Sequence, residues 1–223
     1  MLLRMNTLSI SDLRAEAEAL TASVADGEPL DPMAEALITL AVAVSVTSLD
    51  RAAVNAAIVA AMDAGATVAQ IQEIIALVSG MGVHSLMVSA VPVLTEAARR
   101  GLAAPTEPLD AERQALWDKH VGNDPFWSGF SAELPGFLDA MLRLSPDIFT
   151  GFFEYCAIPW RSGTVRAKLK ELAAIACDAA PSHRYRPGFR VHLGNAIKLG
   201  VGRIAILQAL DIAKAAPEHS GTA

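Results

Sequence analysis

Aromatic residues are scarce in this 223-residue chain: Phe, Trp and Tyr make up 5% of it, against 52% for hydrophobic residues as a whole. A core with so few rings must be filled by Ala, Val, Leu and Ile, whose small side chains let helices approach closely, so an all-α protein is expected. No stretch shows the sustained alternation of a half-buried strand. Cysteine is nearly absent. Cys156 and Cys177 are the two in the chain, with no CxxC or CxxH spacing, which excludes a zinc ribbon or a thioredoxin-type dithiol built from a local motif. Reduced thiols and a cytoplasmic setting are expected. Basic charge is also short, 18 Lys and Arg against 24 Asp and Glu for a net charge of -6. That argues against a nucleic-acid partner, because binding phosphates needs clustered positive charge. The opening residues lack a signal-peptide pattern, since Arg4 and Asn6 break a short apolar run. Residues 74–95, "IIALVSGMGVHSLMVSAVPVLT", hold no Asp, Glu, Lys or Arg and are long enough to span a bilayer. Gly80, Gly82, His84 and Pro92 interrupt them, so the expectation is two buried helices meeting at a glycine turn, with no membrane partner.

What the chain does carry is helix punctuation. Asp31-Pro32 reads as an N-cap followed by proline at the first helical position. Gly65 stops the helix "DRAAVNAAIVAAMDAG", and Thr67 to Gln70 form a capping box for the next. Residues 102–110 read as a linker, and the aromatic-rich stretch beyond it is punctuated at Pro135 and Ser145-Pro146. A repeat then organises the whole. Residues Ala36 to Leu77 align without a gap on Glu171 to Ile212, offset by 135 residues, with Gly65 on Gly200, Ala41 on Ala176 and Ile71 on Ile206. Both segments read as helix, loop, helix ending in glycine, helix. A tandem duplication is expected, residues 1–101 forming one repeat and 110–216 the other.

The repeated pattern, "KELAAIACDA" then His192, Ala196, Gly200 and "RIAILQALDIA", with "ALITLAVAV" and "DAGATVAQIQEII" in the first half, resembles the carboxymuconolactone decarboxylase and alkylhydroperoxidase-D-like family. The resemblance covers roughly half of the residues and rests on soft motifs. It implies an all-α fold of duplicated, orthogonally packed helical units that assembles as a homo-oligomer. A trimer of the duplicated chain, mimicking a hexamer of single units, is the expectation. Peroxidase members place a CxxC just before the family histidine. At those positions this chain has Tyr185 and Gly188, on a loop about two residues longer than usual, so their thiol route is excluded. Decarboxylase members rely on a histidine with nearby polar groups and need no cofactor.

The stretch "SHRYRPGFRVH", residues 182–192, concentrates that polar inventory. Decarboxylation needs a cation to hold a carboxylate and an acid to protonate the carbon that loses carbon dioxide. Arg184, Arg186 and Arg190 are candidate carboxylate clamps, and His183, Tyr185 and His192 candidate proton donors, with Glu171 orienting His192. The first copy is bland at the aligned positions: Ala36 for Glu171, Ala57 for His192, Asn55 for Arg190. The second half is therefore the expected site. Competing readings stand beside these roles. Loop arginines are commonly solvated, Glu171 follows Lys168 and Lys170 and can be a surface ion-pair residue, and Arg190 points away from His192. His84 is a further substrate-binding candidate in a nearly charge-free segment, where a core histidine is the commoner case. Cys177 reads as a buried small residue, the tryptophans as core or subunit contact, and His120 with Asp118 as a solvated helix end. The expected function is cofactor-free decarboxylation, or related lyase or isomerase chemistry, on a small carboxylated ring or lactone. The alternatives are a peroxidase-like (peroxiredoxin-type) relative without CxxC chemistry, and a non-catalytic binding or assembly module.

Overall fold

The structure, a computed structural model, describes residues 7–103 and 105–219, which divide into two compact units: those up to 79 together with those from 162 onward, and those between. Among the described residues every regular element is helical, as expected.

The first unit holds α1 (Ile10–Leu20), α2 (Pro32–Val44), α3 (Arg51–Asp63), α4 (Val68–Ser79), α10 (Ala167–Ala179), α11 (Arg186–Lys198) and α12 (Arg203–Lys214). Short-range chemistry starts several of them where the sequence places the signals. Asp31 accepts the Ala34 N–H at 2.8 Å, Asp50 accepts the Ala53 N–H at 2.7 Å, and Thr67 and Gln70 close their reciprocal box. The bounds of α2, α3 and α4 lie 135 residues before those of α10, α11 and α12. The turns follow the same register. Leu49 and Arg184 both take left-handed backbone, as do Gly65 and Gly200.

Helices α2 and α10 pack against each other at the centre, with α4 against α10 and α12 against α2. One hydrogen bond is made twice at this crossing. Gln208 Oε1 accepts the Leu30 N–H at 2.7 Å, and the Glu73 carboxylate accepts that of Val165. Each pair sits 135 residues from the other. Leu37, Ile38 and Leu40 of α2 and Ile175 of α10 are fully buried. Each such side chain contributes roughly 1.5–3 kcal/mol of apolar burial.

The second unit holds a 3₁₀ turn (Gly80–Val83), α5 (His84–Arg99), α6 (Ala111–His120), α7 (Pro125–Glu133), α8 (Phe137–Leu144) and α9 (Pro146–Arg161). The aromatics scarce elsewhere gather in it. Phe149 and Phe137 are buried and join an edge-to-face cluster with Phe130, Phe152, Phe153 and Trp127. His120 departs from the solvated helix end that its polar neighbours suggest. Its ring stacks on Phe153 at 4.9 Å and meets Phe149 edge-on at 5.9 Å, and burial lowers its pKa. Phe149 and Phe153 belong to α9, which a local reading of α6 does not bring to it. The stretch Val68–Arg99 is, by length and composition alone, long and apolar enough to cross a membrane.

Candidate active site

Every residue of α10 from Lys170 to Ala179 is buried, so each polar side chain on it needs a partner nearby. Three side chains of the charged types lie in this run: Lys170, Glu171 and Asp178. Glu171 and Asp178 are seven residues apart, two helical turns, and so share one face. Helix α11 returns along that face after a short loop. Gly188 and His192, one turn apart on α11, are set against Asp178 and Glu171 respectively.

His192 Nδ1 lies 2.7 Å from Glu171 Oε2. Glu171 is 5% exposed and the His192 side chain 24% exposed, so the carboxylate is enclosed while the ring keeps an edge toward solvent. Burial alone would lower the pKa of this imidazole. The hydrogen bond to Glu171, and the charges of Glu171 and Asp178, outweigh it and raise the pKa above the ordinary histidine value. The pair is therefore an enclosed histidine–carboxylate couple that favours the charged imidazole, not the surface ion pair that Lys168 and Lys170 suggest for Glu171.

Asp178 was not singled out by the sequence reading. It is fully buried, and burial pushes its carboxyl up to about 7 while the charge of His192 pulls it down. The signal was available: an acid inside the apolar run "AAIACDAA", where the aligned residue of the first half is Ala43. Below about pH 7 the protein keeps the Asp178 proton that the unfolded chain gives up near 3.8. On this group's account, stability falls as pH rises from about 4 to about 7, because the unfolded state binds fewer protons there. Asp178→Asn removes that term. The variant should gain on wild type across the window, reaching on the order of 2–4 kcal/mol at pH 8, with the smallest difference near pH 4. Urea denaturation at pH 4, 6 and 8 measures this, and a pH-independent difference would contradict it.

Gly188 lets the two helices approach this closely. A Cβ there would lie 2.5 Å from Asp178 Oδ2 and 2.9 Å from Tyr185 Cδ1, closer than real contacts allow. Gly188→Ala must displace the Asp178 carboxyl or α11 itself. An overpacking cost of about 1–3 kcal/mol is expected, read as a lower Tm. An unchanged Tm would show the approach to be looser than described.

His183 Nε2 stands 3.6 Å from Asp178 Oδ1, and burial holds its pKa below the ordinary value. Tyr185 is half-buried with its hydroxyl oxygen enclosed, and burial together with the Asp178 charge raises its pKa. These two expected donors thus gather at Asp178, beside the His192 couple. The three arginines point elsewhere. Arg186 Nε lies 3.3 Å from Glu16 of α1, Arg190 pairs with the same carboxylate, and Arg184 donates to the Leu8 carbonyl at 3.0 Å. Arg186 and Arg190, one turn apart, already hold a carboxylate, but it is the protein's own. His84 is buried at the start of α5 in the other unit. Both cysteines are protonated at neutral pH: burial pushes Cys156 up to about 11, and burial with the Asp178 charge raises Cys177 further.

No family model and no curated protein match this chain. A crystal structure from Burkholderia xenovorans, described as a "putative gamma-carboxymuconolactone decarboxylase subunit", matches it with a TM-score of 0.71 at 28% sequence identity, over 91% of this chain and 77% of that one. The chain thus has the all-α fold of that carboxymuconolactone-decarboxylase-like protein.

Proposed function

We propose that this chain is a cofactor-free, carboxymuconolactone-decarboxylase-like enzyme acting on a small carboxylated ring or lactone, with His192 as general acid/base. One observation carries the reading: a partly exposed histidine whose Nδ1 is held 2.7 Å from an enclosed carboxylate that raises its pKa. With Nδ1 committed to Glu171, Nε2 is the nitrogen that meets substrate. As carbon dioxide leaves, the bonding electron pair stays on the ring as an enolate, and His192 delivers its proton to that carbon. The neutral imidazole then recovers a proton from water, and the hydrogen bond to Glu171 favours the charged form. The 28% identity to the Burkholderia protein supports the reaction class.

The shared 135-residue register supports a tandem duplication in which the second copy alone carries the polar set. Arg186 and Arg190 serve a substrate carboxylate only by exchanging it for Glu16. A thiol-peroxidase route finds no support in two protonated cysteines or in Tyr185 and Gly188 at the dithiol positions. The test is a screen of carboxylated rings and lactones with carbon dioxide detection, run on wild type and His192→Ala. A compound decarboxylated by wild type and much more slowly by the variant supports the proposal. Equal rates would sink it, and a screen without any release would leave the binding-module reading in its place.

A further inference from the structure

A cavity of about 760 Å³ opens between α2, α3 and the C-terminal end of α12. None of His192, Glu171 and Asp178 lines it. Two of its wall residues are aligned counterparts of that cluster, Ala57 falling on His192 and Ala43 on Asp178, and a third, Ala53, falls on Gly188. Where the second half carries an imidazole and a carboxyl, the first half carries methyl groups. Ala56 and Ala60 of α3 continue the apolar wall.

Glu35 and Asp211 are the charged residues lining the cavity, Thr39 and Gln208 are neutral polar ones, and among the described residues no lysine or arginine lines it. Glu35 aligns with Lys170 and Gln208 with Glu73. In the second half the Lys170 ammonium pairs with Glu73 and donates to the Ser162 carbonyl at 3.0 Å. The first half has no ammonium at the aligned position. Gln208 Oε1 is taken by the Leu30 N–H, and Asp211 is met by Arg14 at 2.6 Å, so exposed Glu35 leaves the cavity with a net negative charge.

We propose that this cavity binds a small apolar ammonium ion, its hydrocarbon body against the α3 alanines and its charge toward Glu35. The volume is of the size that small-molecule sites take, about 300–1,000 Å³, with the usual mix of apolar wall and few polar groups. The proposal is independent of the His192 chemistry.

Isothermal titration of the full chain at low salt with 4-phenylbutylammonium tests it, with 4-phenylbutanoate as the opposite-charge control. Wild type should bind the amine saturably, one per chain, and the carboxylate at least about tenfold more weakly. Ala57→Phe, which fills the cavity, should weaken amine binding by about tenfold or more, and Glu35→Gln by roughly three- to tenfold. Should Ala57→Phe fail to fold by circular dichroism, Ala56→Leu on the exposed part of the wall takes its place. Absence of saturable binding to wild type overturns the proposal. So does equal binding of amine and carboxylate, or a filled cavity that still binds as wild type. Light scattering supplies the remaining outcome: if filling the cavity lowers the mass of the particle in solution, this face is a contact between copies and the ligand assignment falls.

Discussion

His192→Ala is expected to slow decarboxylation by about 10²–10⁴-fold, the usual span for losing a positioned proton donor, while the far-ultraviolet circular dichroism stays that of wild type. The fold should survive because α11 already has a natural precedent for alanine at this register: Ala57 occupies the aligned place on α3, a helix of the same length. What the variant loses is the charge that Glu171 holds in place, so the chemical step suffers more than substrate binding, and kcat should fall further than KM rises. The wild-type pH profile follows from the same couple. With the His192 pKa raised, the acid form is present below that value and activity declines as pH passes above it. Glu171→Gln should move this limb to lower pH, because the hydrogen bond and charge that offset burial are gone. A variant that folds and retains wild-type turnover would remove His192 from the reaction.

Lys170→Met is expected to cost about 3–5 kcal/mol of stability at neutral pH, the magnitude of leaving one charge of a buried pair uncompensated. Lys170 is 2% exposed and Glu73 7%. They pair directly across α10 and α4, and the Ser162 hydroxyl donates to Glu73 Oε2 at 2.5 Å. Burial alone would raise the Glu73 carboxyl. The bonds from Lys170 and Ser162 and the ammonium charge more than offset it and hold the pKa below the ordinary 4.5. Glu73 therefore contributes stability that is present above its unfolded value of 4.5 and fades as pH falls through the lower folded value. In Lys170→Met the carboxylate stays buried without its cation, so the penalty should shrink as acid protonates it. Lys170→Met/Glu73→Leu should recover most of the loss, since an apolar pair of similar volume replaces a buried ion pair at little cost. Guanidinium denaturation of the single and double variants at pH 7 and pH 5 checks both signs. A double variant as unstable as the single one would mean that packing, not charge, holds α10 to α4.

Which features were legible in the sequence follows from how local their causes are. The starts at Asp31-Pro32 and Thr67, the stop at Gly65 and the breaks at Pro135 and Ser145 are set within one turn of backbone, and the helices obey them. The pairing of Glu171 with His192 was legible because the second half differs there from the first. The same comparison, carried along α10, points to Asp178. Helix α1 escaped notice because its buried stripe is only Leu13 and Ala17. The partner of Arg186 and Arg190 sits on that helix, so the claim of Glu16 on them was hidden with it. Lys170 and Glu73 each look like a surface charge from sequence, and only the crossing of α10 and α4 encloses them. His120 likewise owes its ring contacts to α9, a partner that no local pattern names.

The proposed chemistry turns on a histidine whose pKa an enclosed carboxylate raises, and this can be measured without knowing the substrate. Titrating the His192 ring protons by NMR, assigned by loss of the signal in His192→Ala, gives the pKa directly. A value above 6.5 in wild type that drops below 6.5 in Glu171→Gln is the predicted result. A wild-type value at or below 6.5, unmoved by Glu171→Gln, would contradict the acid/base couple on which the proposed chemistry rests.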